Sequence, residues 1–107
     1  MSQFYAVRYD PAALAALGDA VAYIEEHSGP GRAADWLSAM QAGIAKLETL
    51  PGAYPIMDER EGRAVHSKLV SSYRVFYFID EPERIVYVID IVHTARETKL
   101  APYRGTS

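Results

Sequence analysis

Two runs of aromatic and β-branched residues, Tyr73-Arg74-Val75-Phe76-Tyr77-Phe78-Ile79 and Ile85-Val86-Tyr87-Val88-Ile89-Asp90-Ile91-Val92, stand either side of the polar stretch Glu81-Pro82-Glu83. Such runs suit a pleated, buried surface, and the short proline-containing break between them predicts an antiparallel hairpin. The first run carries large side chains on both faces, as an interior strand does. It also carries an arginine. An arginine inside an aromatic strand costs desolvation unless it is paired or faces a groove, so Arg74 needs an explanation that Arg32 or Arg84 does not.

The rest of the chain supplies what must pack on that ribbon. Phe4 to Tyr9 reads as a short first strand that stops at Asp10-Pro11. Asp10 suits the N-cap of a helix and Pro11 its first turn. Leu14, Leu17, Val21 and Ile24 then recur at helical spacing, with Asp19, Glu25 and Glu26 on the other side. Ser28-Gly29-Pro30-Gly31 ends that helix. A second helix repeats the pattern with Ala33, Leu37, Met40, Ile44 and Leu47, and closes before Leu50-Pro51-Gly52. Two amphipathic helices with a tight break form an αα-hairpin, and the large apolar surface left to receive their stripes is the sheet. Trp36 lies beside the stripe, as a core edge or a partner contact. Gly52 to Gly62, with Pro55, two glycines and Asp58-Glu59-Arg60-Glu61, reads as a surface loop. Ala64 to Leu69 follows as a weak edge strand. The expected fold is therefore α+β: an N-terminal strand, an αα-hairpin and a three-stranded antiparallel meander, in the order β-α-α-β-β-β. One face of the sheet is covered by helices and the other is left open.

With 107 residues, half of them hydrophobic, residues 1–107 are expected to form a single domain. No apolar run approaches the roughly 20 residues that span a bilayer, and Met1 to Tyr9 lacks the basic start and apolar stretch of a secretory signal. A cytoplasmic location without membrane attachment is the expectation. The chain has no cysteine, which removes disulfides, thiolate zinc sites and thiol nucleophiles together. Its three histidines, His27, His66 and His93, are far apart, so neither a metal nor another cofactor is expected. The net charge of −3 is unevenly spread. Up to Glu59 there are three basic and eight acidic residues, giving −5, and from Arg60 onward the balance is +2. Any acidic partner is therefore directed to the C-terminal half, although the excess is too small for a general nucleic-acid binder.

If the hairpin turn is centred on Pro82 and Glu83, Asp80 faces Ile85, Arg74 faces Ile91 and Ser72 faces His93. That register puts Arg74 and His93 on one side as diagonal neighbours, about 7 Å apart at the backbone. Arg96, just past the strand, and Lys68, just before the preceding turn, would border the same surface. A guanidinium, an imidazole and a second arginine suit binding of phosphate or carboxylate, with the histidine able to move a proton near neutral pH. The same groups would serve a ribonuclease or an anchor for an acidic partner, or Arg74 could simply pair with Asp90 or Glu97 inside the fold. His27, near a helix C-terminus, reads as a dipole contact. The carboxylate pairs Glu25-Glu26 and Asp58-Glu59 sit in solvated contexts, and Tyr73, Tyr77 and Tyr87 read as sheet packing. No phosphate-binding glycine loop, nucleophile elbow or H-E-x-x-H pair is present.

Four segments in this order and spacing, Tyr9-Asp10-Pro11-Ala12-Ala13, Leu47 to Pro51, Ser72-Tyr73-Arg74-Val75-Phe76-Tyr77 and Ile91-Val92-His93-Thr94-Ala95-Arg96-Glu97, resemble the RelE/ParE superfamily of type II toxin–antitoxin systems. The resemblance covers nearly the whole chain and implies the fold just derived. It also implies a cognate, ParD-like antitoxin that wraps the toxin with a helix or strand, giving a hetero-oligomer. The superfamily holds both ribosome-dependent mRNA endonucleases and inhibitors of DNA gyrase. The nuclease branch carries several basic residues on its central strands and an aromatic or His acid/base near the C-terminus. This chain has only three lysines, and Thr94 stands where some nucleases have tyrosine, with Tyr103 as a substitute only if the tail folds back. The ending His93-x-x-Arg96-Glu97 is nearer the ParE pattern. The resemblance thus implies a gyrase-inhibiting toxin, and with Lys68 from the register above the expected target-binding residues are Lys68, Arg74, His93 and Arg96. Its alternatives are an mRNA endonuclease with Arg74, His93 and Arg96 as catalytic residues, acting on mRNA in the ribosome, and a non-toxic module that only binds antitoxin.

Overall fold

Asp10 keeps an extended backbone at the end of the first strand, β1 (Ala6–Tyr9), in a computed structural model that describes residues 4–95. Its carbonyl accepts the Leu14 N–H at 3.0 Å, and Pro11 opens the helix α1 (Pro11–Ser28), where its missing N–H costs nothing. Gly29, at φ 93°, ends α1, and Pro30 opens the helix α2 (Pro30–Ala45) at once. That φ is open to glycine and strained for other residues. A single residue therefore turns the αα-hairpin, a tighter break than the sequence signals.

Four more strands follow: β2 (Ile56–Arg60), β3 (Arg63–Val70), β4 (Tyr73–Asp80) and β5 (Ile85–His93). They form one five-stranded sheet in the order β1-β5-β4-β3-β2, with β1 parallel to β5 and the other neighbours antiparallel. The α+β class and the order strand, helical hairpin, antiparallel meander are as expected, and the meander is one strand longer. Residues 56–60 lie within the stretch expected to be loop. Their run of charges is tolerated because β2 is the sheet's edge, where charged side chains stay wet and discourage further pairing. The turn that joins β2 to β3 is a two-residue one, Glu61-Gly62, with φ of 51° and 79° and Arg60 opposite Arg63. Positive φ at both central residues is the geometry of a two-residue hairpin loop. As a consequence β3, expected at the edge, is an interior strand.

The helices cover one face. Ala13 and Leu17 of α1, Met40 and Ile44 of α2, and Leu47 in the 3-10 turn after α2 pack on Val70, Val75, Tyr77, Val86, Val88 and Ile91. The α1 stripe is rotated from the expected one, because the alanines Ala13 and Ala20 face inward and Leu14 is 54% exposed. Small residues let the backbones approach. The same holds at Gly43, where an added Cβ would lie 2.5 Å from Cγ1 of Val70, so α2 crosses β3 with no room for a side chain.

One irregularity in the β4–β5 ladder decides which side chains share a face. From the turn, Asp80 pairs with Ile85, Phe78 with Tyr87 and Tyr77 with Val88, the register expected from the sequence. Between Tyr77 and Phe76 the register slips, and Phe76 pairs with Asp90, Val75 with Ile91, Arg74 with Val92 and Tyr73 with His93. Ile89 is the extra residue of a β-bulge, and the Asp90 carboxylate accepts the Ile91 N–H at 2.8 Å beside it.

Candidate functional site

A slip of one residue moves side chains to the other face of a sheet. The expected meeting of Arg74 and His93 is therefore corrected. Arg74 lies on the face away from the helices, where its Nη1 donates to Ser67 Oγ at 3.3 Å. His93 is paired with Tyr73 on the helix-facing side. There the imidazole meets the Tyr73 ring edge-on, with centroids 4.9 Å apart, and Tyr73 in turn meets the Trp36 indole of α2 at 5.0 Å. Lys68 is likewise separated from Arg74. It pairs with Val75 on the helix-facing side, and its Nζ sits 5.0 Å above the Tyr54 ring. Lys68 and His93 share that side on strands with β4 between them. Arg96, like Glu97 and Tyr103, lies outside the described residues.

The face away from the helices is also more closed than expected, since Val65, Ser67 and Phe76 on it are fully buried. Around them stand arginines and rings. The Arg63 guanidinium lies 4.4 Å from the Phe78 ring centroid, Phe78 and Tyr87 are 5.2 Å apart, and Arg8 is in register with Tyr87 on β1. The outer surfaces of the helices are instead acidic, with Asp19, Glu25, Glu26 and Asp35 exposed. Of the basic residues in the C-terminal half, Arg63 and Arg74 lie on this face, together with the carboxylates Asp80 and Asp90.

Each histidine has a definite hydrogen-bonding role. His27 donates from Nδ1 to the Tyr23 carbonyl at 2.8 Å and stacks on the Tyr23 ring at 4.0 Å, at the helix C-terminus. His66, buried, donates from Nδ1 to the Tyr54 carbonyl at 2.8 Å and stacks on Tyr77. The Tyr77 hydroxyl donates to the Pro51 carbonyl at 2.6 Å, and burial raises its pKa far above that of a free phenol. His93 alone accepts: its Nδ1 receives the Ala95 N–H at 3.0 Å. Sequence reasoning missed the Trp36–Tyr73–His93 contact because the bulge that creates it has no signal in the residue pattern. Among the described residues no group of three or more His, Asp or Glu stands close enough to hold a metal ion. None of the described helices is long and apolar enough to cross a membrane.

Comparison with known proteins agrees with this architecture. The family profile of the ParE toxin of the type II toxin-antitoxin system, parDE, matches residues 7–98. No curated protein matches the chain by sequence. Among solved structures, the chain is similar to one in the chromosomal ParDE toxin-antitoxin system of P. aeruginosa, with a TM-score of 0.70 and 12% identity over 86% of this chain and 98% of that one. It is similar to a chain of the RelBE2 toxin-antitoxin complex of Mycobacterium tuberculosis, with a TM-score of 0.60 and 24% identity over 87% and 94%. It also resembles a chain of the archaeal RelE-RelB complex of Pyrococcus horikoshii OT3, at 0.59 and 13% over 87% and 98%.

Proposed function

Because the chain belongs to the ParE toxin family of type II toxin-antitoxin systems, we propose that it arrests growth by inhibiting DNA gyrase and is held inactive by a cognate ParD-like antitoxin. The observation that favours gyrase over RNA cleavage is the separation of Arg74 from His93 by the thickness of the sheet. A nuclease needs its proton-transfer group within hydrogen-bond reach of the phosphodiester that its arginines hold. Here the imidazole and the guanidinium open to opposite sides. The Nδ1 lone pair of His93, the one that a general base would use, is already engaged by Ala95. The overall acidity of the chain points the same way, since a ribosomal RNA surface favours a strongly basic protein.

Exposed apolar side chains support an antitoxin partner. Leu14 and Tyr23 stand out from α1, and Ile56 and Met57 from the edge strand β2, each about half exposed or more. Leu14 and Tyr23, nine residues apart, stand on opposite faces of α1, whereas the pair on β2 suits a strand added beside that edge.

The test is a titration of the purified chain into a gyrase supercoiling reaction. Supercoiling should fall, or cleaved DNA should accumulate, and addition of the antitoxin should restore the enzyme. No effect at large molar excess, together with transcripts cut within the ribosomal A site in arrested cells, would instead establish the endonuclease reading.

A further inference from the structure

Of the three histidines, two donate from Nδ1 to a carbonyl, and His93 accepts there from a backbone N–H. A backbone N–H can only donate, so Nδ1 of His93 carries a lone pair and the ring hydrogen is on Nε2. The ring is held in place for this task. Its strand is paired with Tyr73, the two rings meet edge-on, and Trp36 of α2 backs Tyr73 from the other side. The next residue is tied as well, since the Thr94 N–H donates to the Ser72 carbonyl at 2.9 Å. Thr94 and Ala95 then turn out of the strand into helical geometry. The chain thus leaves β5 through two consecutive N–H groups, one held by a carbonyl and the other by the imidazole.

We propose that His93 is a positioning residue whose neutral imidazole, through Nδ1, holds the Ala95 N–H and so sets the direction in which the chain leaves the sheet. This rests on the reading of the toxin in which that exit meets the target. An imidazolium carries hydrogen on both nitrogens and cannot accept, so protonation sets one N–H against another and releases the clasp. The groups that face the ring do not replace the lost bond. From β4 it meets the Tyr73 phenol ring, and the Trp36 indole of α2 lies against that ring in turn. Among the described residues His93 makes no ion pair.

The test compares the wild-type chain with His93→Asn, whose side-chain carbonyl can accept the same N–H and does not titrate, and His93→Leu, which fills the space without an acceptor. Amide hydrogen exchange of Ala95 is read first, because it needs no gyrase. The Asn variant should protect Ala95 as the wild type does near neutral pH, and the Leu variant should exchange roughly 5- to 10-fold faster, the loss expected for one hydrogen bond. Nitrogen shifts of the wild-type ring should report hydrogen on Nε2. Equal protection in all three chains, or hydrogen on Nδ1, would overturn the assignment. Gyrase inhibition retained by His93→Asn and lost by His93→Leu supports the positioning role. Loss in both variants would overturn it in favour of direct contact between imidazole and target, and loss in neither would show that the exit is not used. If the wild type fails to inhibit gyrase at all, the proposed target is wrong, and the exchange data still decide whether His93 holds Ala95.

Discussion

The two faces of the sheet solve different problems with neighbouring residues of the same strands. On the helix-facing side Val75, Tyr77, Val86 and Val88 are sealed under Ala13, Leu17, Met40 and Ile44 in a continuous apolar layer. On the other side Phe76 and Val65 are buried among polar and charged neighbours, with Arg74 donating to Ser67 and Arg63 lying over Phe78. The first face is held by area removed from water, which does not depend on direction. The second depends on individually placed guanidinium and ring contacts, which are weaker and more specific. The difference indicates where a charge is least tolerated: in the helix-facing layer, whose stability comes from sealed apolar area.

The contrast breaks most completely at Ile44, which is 1% exposed. Ile44→Asp places a charge in the sealed layer and should cost about 4 kcal/mol or more, enough to unfold a domain of this size. Circular dichroism should show loss of the cooperative melt, and an equivalent charge at exposed Leu69 should leave it almost unchanged. Gly43→Val tests the close approach of α2 to β3. Its side chain would collide with Val70, and overpacking of this kind costs about 1–3 kcal/mol. Val70→Ala in the same chain should return part of that loss, a coupling readable in a double-mutant cycle.

The smallest of the three effects sharpens the comparison through pH. Burial raises the pKa of Tyr77 in the folded chain above its unfolded value. The stability this protects is present below the pKa of a free phenol, about 10, and is lost as the pH rises from there toward the folded value, because the unfolded chain ionises first. Wild-type melting temperature should therefore fall above about pH 10. Tyr77→Phe should melt lower at neutral pH by about 1–3 kcal/mol, since the Pro51 carbonyl loses its donor. Its decline at high pH should be shallower.

Much of this arrangement was legible in the chain. Tyr73–Ile79 and Ile85–Val92 announce their hairpin by composition, Asp10-Pro11 announces a helix start, and Gly29-Pro30 announces the break between helices, because each reflects a local rule of backbone geometry. Residues 56–60 were not legible as a strand. An edge strand pairs along one side only and can carry Asp58, Glu59 and Arg60, so it has the composition of a loop; the two-residue spacing at Glu61-Gly62 was the available clue. The site depended on a longer inference. Register extrapolated from the Pro82-Glu83 turn is correct as far as Tyr77 and fails beyond it, since Ile89 looks like any other strand residue and yet is the one that bulges. Arg74 and His93 were individually noticed, but their separation is a property of the whole ladder.

That separation is the claim on which the functional account stands. Nuclear Overhauser spectra of the protein in solution would test it directly. Cross-peaks are expected from the His93 imidazole protons to the Tyr73 ring, and from Tyr73 onward to Trp36, with the Arg74 side chain instead close to Ser67. Cross-peaks joining His93 to the Arg74 side chain would place both on one face, restore the unbulged register and contradict the account.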